Sequence, residues 1–258
     1  MAFNFYDSIP SVASFVLTVT FFSREFQLVQ SLPAHRNIVQ YYELDETSNP
    51  EKIYLFLELC GGGTLETAVE TIPAGPLRRH FLCDKFRQLF SALAHLQSQN
   101  VAHHDVKLDN VLLTADGMVK LCDFGVAEKF DPQVGCRVFY GTPAYQPPEI
   151  AGNTEGTPFN GFKADVWSAG VALYRLVYGR LPFEAPSVYL VLQAIEKDPV
   201  RITAIKGDPS LTDLLRELLC KDPRRRPEAK DVLIHPWFTQ GVEDFSAPSS
   251  STICCSVL

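Results

Sequence analysis

The stretch Ala164–Tyr178 (ADVWSAGVALYRLVY) is apolar on nearly every side of a helix. A helix without a polar face must be covered all round, so it demands a body large enough to enclose it. A chain of 258 residues, the size of one large domain or two small ones, can supply that body. The surrounding pattern is also helical. Leu82, Phe86, Leu89, Phe90, Leu93 and Leu96 recur at helical spacing and predict a helix of several turns, and Leu211–Leu219 and Ala229–His235 predict shorter ones. The front of the chain differs. Asn37–Glu43 and Lys52–Leu59 read as strands joined by a turn-rich segment, and Gly61-Gly62-Gly63 separates the two textures. Before them, Ser23–Leu32 fits a short amphipathic helix, and Val12–Phe22, rich in β-branched and aromatic residues, reads as a buried strand. Val111–Leu113 and Met118–Cys122 form a hairpin, and residues 126–162 read as a long ordered loop. The expected fold is α+β: an atypical segment 1–22, a small strand-containing front 23–60, a larger helical body 61–238, and a polar, Ser-rich, flexible tail 239–258. A cleft between front and body is the natural ligand site.

Charge and composition narrow the function. Lys and Arg total 23 against 30 Asp and Glu, a net charge of −7, which argues against a protein that grips nucleic-acid backbone. No apolar run is long enough for a membrane helix. The seven cysteines show no metal-type spacing and no secretory signal precedes them, which predicts reduced thiols in the cytosol or nucleus.

Three short motifs then occur in one order: His103-His104-Asp105 with Lys107 and Asn110, Asp123-Phe124-Gly125, and Pro147-Pro148-Glu149. Each alone arises by chance. Together, across residues 23–238, they resemble the catalytic core of a eukaryotic serine/threonine protein kinase, with a bilobal fold of truncated N-lobe and complete, mainly helical C-lobe. The resemblance implies ATP and Mg²⁺ as cofactors. Asp105 would orient the acceptor hydroxyl and take its proton, Lys107 would reach the transferring phosphate, and Asn110 and Asp123 would hold Mg²⁺ as hard oxygen ligands. Lys107 two residues after Asp105, and Thr142 in Gly141-Thr142-Pro143, resemble the serine/threonine rather than the tyrosine class. It further implies Leu57 as gatekeeper, the Glu58 carbonyl and Cys60 amide at the adenine edge, and Leu112 beneath the ring. His103 and Phe124, the latter followed by Gly125 as a further structural residue, would stack in the packed column linking the lobes. Glu149 would pair with Arg226, and Asp165 would anchor the catalytic loop. Glu25 matches the helix glutamate that pairs with a strand lysine in this family.

That lysine is not found. Only 24 residues precede Glu25, with neither Gly nor Lys among them, and they do not resemble a glycine-rich loop and three strands. They look like a substitute N-terminus, from an alternative transcript or a faulty gene model. The expected activity is therefore that of a kinase by family, with a catalytically impaired, kinase-shaped binding or scaffold form as the alternative. The usual phosphorylation switch is also altered: His104 stands where an arginine precedes the catalytic Asp, and no Ser or Thr lies between Val126 and Gly141. PAYQPPEIA and GFKADVWSAGVALY narrow the resemblance to the Peutz–Jeghers tumour-suppressor kinase family, against a generic calcium/calmodulin-type alternative. That family implies an upstream role towards AMP-activated-type kinases, with pseudokinase and armadillo-like scaffold partners. Cys255-Ser256-Val257-Leu258 has the CaaX form of a prenylation site, with Cys254 beside it, so membrane association through a lipid is a further expectation.

Overall fold

The computed structural model describes residues 2–3, 12–46, 53–131, 133–137, 141–153 and 155–239. The front holds strand β1 (Ala2–Phe3), helix α1 (Val12–Gln30), β2 (Tyr41–Asp45) and β3 (Tyr54–Leu57), with the strands in the antiparallel order β1-β3-β2. Val12–Phe22 is therefore helical, not a strand, and continues straight into the predicted amphipathic helix. No Gly or Pro interrupts residues 12–30. Without a breaker, the small propensity cost of β-branched residues, under about 0.7 kcal/mol each, does not stop the helix. β2 begins later than Asn37 because the backbone before it is committed to the body. The Val39 N–H donates to Leu121 O at 2.9 Å and the Leu121 N–H to Asn37 O at 2.9 Å. The Asn37 amide donates to Val119 O at 3.0 Å, closing this seam between front and body.

The body follows as α2 (Leu65–Glu70), α3 (Pro76–Ser98), β4 (Val101–Ala102), the hairpin β5 (Val111–Leu113) and β6 (Val119–Leu121), β7 (Glu128–Lys129), α4 (Pro148–Ala151), α5 (Gly161–Tyr178), α6 (Val188–Lys197), α7 (Pro209–Leu218), α8 (Ala229–Val232) and α9 (Pro236–Thr239). α5 is the helix without a polar face: Trp167, Leu173 and Tyr174 have no exposed surface. α7 packs so closely on it that a Cβ at Gly170 would lie 2.8 Å from Leu218 Cβ, inside any real carbon contact, so only glycine allows that approach. The Asn160 side chain caps its first turn, accepting the Lys163 N–H at 3.1 Å. Residues 126–162 are more regular than a loop. β7 pairs antiparallel with β4 (Ala102 opposite Glu128), and a 3-10 turn at Pro143–Tyr145 leads to α4. α2 and α6 were not anticipated from the apolar spacing. Thr64 and Ser187 cap them and are their sequence signal.

Candidate active site

The site grows from the inner helix. Both Asp165 oxygens on α5 accept backbone N–H groups of the loop after β4, from His103 at 2.8 Å and His104 at 2.8 Å. They hold His104 at φ +66°, a left-handed conformation costly for a non-glycine residue. That turn delivers Asp105. Lys107 Nζ donates to Asp105 Oδ2 at 2.7 Å, and Thr142 donates both its N–H (2.9 Å) and its hydroxyl (2.8 Å) to Oδ1. Asn110 Nδ2 donates to the Asp105 carbonyl at 2.9 Å and to its carboxylate at 3.1 Å, which leaves Oδ1 as the amide's ligating atom. Burial pushes the Asp105 carboxyl up, but its bonds to Lys107 and Thr142 outweigh this and hold it below the usual carboxylate range. Asp105 is thus ionised at neutral pH.

Asp123 follows β6, also left-handed at φ +63°, and its Oδ1 accepts the Gly125 N–H at 3.4 Å. Phe124 is buried between two rings: His103 meets it edge-on at 4.8 Å and Tyr41 at 6.4 Å. The column therefore joins front to body by edges rather than parallel stacks. Burial lowers the His103 pKa and keeps its ring neutral. Its Nδ1 accepts the Asp105 N–H at 3.2 Å, so the proton sits on Nε2 and is donated to Cys122 O at 3.0 Å. Cys122 is held inert, its thiol pushed up to about 12 by burial.

On the front, Glu25 is buried in α1. It accepts the Tyr41 hydroxyl and the Phe124 N–H, the latter at 3.2 Å. Both donors are neutral, and burial raises the Glu25 carboxyl above its ordinary value. Leu57 ends β3 half-buried. The Glu58 N–H donates to Gln40 O at 2.8 Å, and its carboxylate pairs with Lys120 on β6 at 2.7 Å. Cys60 packs on the core edge, and Leu112 sits half-buried on β5, bridged to Thr64. Below the site, the Arg226 guanidinium has no exposed surface and binds Glu149 twice, at 2.7 and 3.1 Å. It also donates to the Lys163 carbonyl at 2.6 Å and lies 5.1 Å from the Trp167 ring, tying α4 to α5.

One group escaped the sequence reading. His104, Glu128 and Cys136 converge from the loop after β4, from β7 and from the segment after it, with their polar atoms within 4.8 Å of one another. No spacing rule announces them, because each comes from a different segment. Cys254 and Cys255 lie outside the described residues.

The protein kinase domain family matches residues 17–238. The chain is 37% identical over 221 residues to Serine/threonine-protein kinase STK11 of Mus musculus, covering 83% of this chain and 49% of that protein. It is 39% identical over 212 residues to Serine/threonine-protein kinase par-4 of Caenorhabditis briggsae, covering 80% and 32%. It is 36% identical over 214 residues to Sperm motility kinase 3A of Mus musculus, covering 83% and 41%. The chain spans about half the length, or less, of these curated relatives.

Proposed function

The chain belongs to the protein kinase domain family, and from that premise we propose that it transfers the γ-phosphoryl group of ATP to serine or threonine hydroxyls of proteins. One observation carries this reading. An ionised Asp105 accepts an aliphatic hydroxyl, that of Thr142, beside Lys107 Nζ, which is also 3.2 Å from the same hydroxyl oxygen. An acceptor hydroxyl entering there meets a base for its proton and a cation for the transferring phosphate. The Asn110 amide oxygen and the Asp123 carboxylate are hard donors of the kind Mg²⁺ takes. Mg²⁺ on ATP neutralises phosphate charge during transfer. His103 and Phe124 orient the loop, and Asp165 fixes its backbone.

The second reading is a kinase-shaped binding protein. Its support is Glu25, whose carboxylate, among the described residues, is bonded by Tyr41 and Phe124 rather than by a cation. Incorporation of labelled phosphate into a generic protein substrate by the 258-residue chain distinguishes the two. Transfer lost by about 10²–10⁴-fold in Asp105→Asn supports the enzyme. Nucleotide-independent partner binding with no transfer supports the scaffold.

Several finer proposals follow from the likeness to the STK11 and par-4 kinases. The substrates are the activation loops of AMP-activated-type kinases. With no Ser or Thr between Val126 and Gly141, the activation segment is held by bound partners, a pseudokinase and an armadillo-like scaffold, rather than by a phosphate. Loss of most activity on phosphatase treatment, traced to residues 126–141, would contradict this. The protein is cytoplasmic, with prenylation of Cys255 and acylation of Cys254 adding membrane association. Intact-mass measurement on protein from eukaryotic cells checks the lipid; an unmodified Ser256-Val257-Leu258 terminus overturns it.

A further inference from the structure

We propose that His104, Glu128 and Cys136 form a zinc site that clips the activation segment to the catalytic loop. Both separations from the His104 nitrogen fit the metal, and the third, between Glu128 and Cys136, is within 4.8 Å. A tetrahedral Zn²⁺, with Zn–N and Zn–O near 2.0–2.1 Å and Zn–S near 2.3 Å, places N and O about 3.3 Å apart and N and S about 3.6 Å apart. His104 Nε2 lies 3.3 Å from Glu128 Oε1 and 3.6 Å from Cys136 Sγ. One imidazole, one carboxylate and one thiol select zinc over the hard Mg²⁺.

Each donor is placed by backbone before any ion arrives. The two N–H bonds to Asp165 fix the His104 turn, and Phe159 meets its ring edge-on at 6.0 Å. Pairing with Ala102 fixes Glu128 on β7. A two-way bridge fixes Cys136: its N–H donates to Phe159 O at 3.0 Å, and the Phe159 N–H returns to Cys136 O at 2.9 Å. Gly161 leaves the room. A Cβ there would sit 2.9 Å from His104 Cε1 and 3.1 Å from Cys136 Sγ, pressing on two ligands at once.

The charges also balance. Zn²⁺ displaces the thiol proton, which passes to solvent, and meets one carboxylate, one thiolate and one neutral imidazole, for a net charge of zero. Arg24, which lines the neighbouring cavity, therefore does not oppose the ion. That cavity, about 610 Å³, is also lined by Glu128 and Cys136 and gives entry for the ion and for a water as fourth ligand. His104 adjoins Asp105, so the ion would join the base's own loop to the segment that carries Thr142. This is the connection that a phosphorylated Ser or Thr and the arginine before the catalytic Asp make in the family; here His104 takes the arginine's place, and Tyr140 is the one hydroxyl residue between Val126 and Gly141.

The test is metal content, so its outcome does not depend on whether the chain transfers phosphate. The full chain, stripped with chelator, is dialysed against Zn²⁺ and analysed, then titrated with Co²⁺ for a thiolate charge-transfer band. One zinc per chain and a tetrahedral cobalt spectrum are expected. Cys136→Ser and His104→Gln should each weaken binding by more than the about 10–100-fold that loss of an outer-shell partner costs. Glu128 is partly exposed, and Glu128→Gln, close in size and still polar, should remove the zinc-dependent rise in melting temperature even where the other variants fail to fold. A chain with Cys254→Ser and Cys255→Ser should keep its zinc. Failure to retain zinc, binding indifferent to Cys136→Ser, or binding abolished by the two tail substitutions each overturns the proposal.

Discussion

Asp105 and Glu25 are both shielded carboxylates beside the same Phe124 column, and their surroundings push them in opposite directions. Asp105 has a lysine at 2.7 Å and is held below the ordinary carboxylate range. Among the described residues Glu25 meets a phenol and one backbone N–H, and burial raises it. Asp105 thus has its counter-charge within the floor, whereas the partners of Glu25 among the described residues are neutral. Desolvation favours the neutral acid in both places, and the nearby cation decides which group stays charged without penalty.

The floor's pairing breaks most visibly at its base. Glu149→Ala should cost about 3–5 kcal/mol, because it leaves the fully buried Arg226 guanidinium without its counter-charge. Urea unfolding measures this. The two backbone carbonyls that Arg226 also contacts place the expectation at the lower end of that range. A loss below about 1 kcal/mol would mean the floor is no better knit than the front.

Asp165→Asn comes next. An amide keeps one acceptor oxygen and turns an NH₂ towards a loop N–H, so one buried donor loses its partner, at about 1–3 kcal/mol. Amide hydrogen exchange at His103 and His104 should accelerate by more than exchange at Leu121 and Val119. Uniform acceleration would show that the anchor holds the whole body and not this loop.

What the chain discloses on inspection follows the same division. Floor residues are legible because their chemistry is packed into short motifs: Asp105, Lys107 and Asn110 reach one another through a single turn. The Glu149–Arg226 pair is legible only through the family resemblance, since nothing local says that residues from two distant motifs touch. The front is less legible. Val12–Phe22 has strand-like composition, yet propensity differences are small beside the absence of any breaker, and the helix runs through. α6 hides for another reason: Val188, Tyr189 and Leu190 are apolar and exposed, which defeats a pattern search that assumes apolar residues face inward. The His104–Glu128–Cys136 group is invisible to spacing because the pairing of β4 with β7 and the Cys136–Phe159 bridge, not sequence distance, bring it together.

Asp105→Asn sharpens the comparison through stability as well as activity. The folded state depresses the Asp105 pKa, so its stabilising contribution is fully present above the ordinary value of 3.8 and fades as pH falls through the folded value beneath it. The variant should therefore be less stable by about 1 kcal/mol at neutral pH, the order of one hydrogen-bonded pair, with the gap closing only in strong acid. A gap that closes near pH 6 would place the linked proton on another group.

Glu25→Gln should do the reverse, with the smallest effect. The folded state raises the Glu25 pKa, so the charged form destabilises at pH values above the folded pKa, and protonation relieves this as pH falls through it, beginning above the ordinary 4.5. Gln is neutral at every pH, and its carbonyl oxygen still accepts the Tyr41 hydroxyl and the Phe124 N–H. The variant should be the more stable one at neutral pH, by up to about 1 kcal/mol, and the advantage should shrink on acidification as the native carboxyl takes up its proton. Thermal unfolding at a series of pH values reads both the sign and the closing of the gap. A destabilised Glu25→Gln at neutral pH would show that the ionised carboxylate has a cationic partner after all, and the contrast between front and floor would disappear.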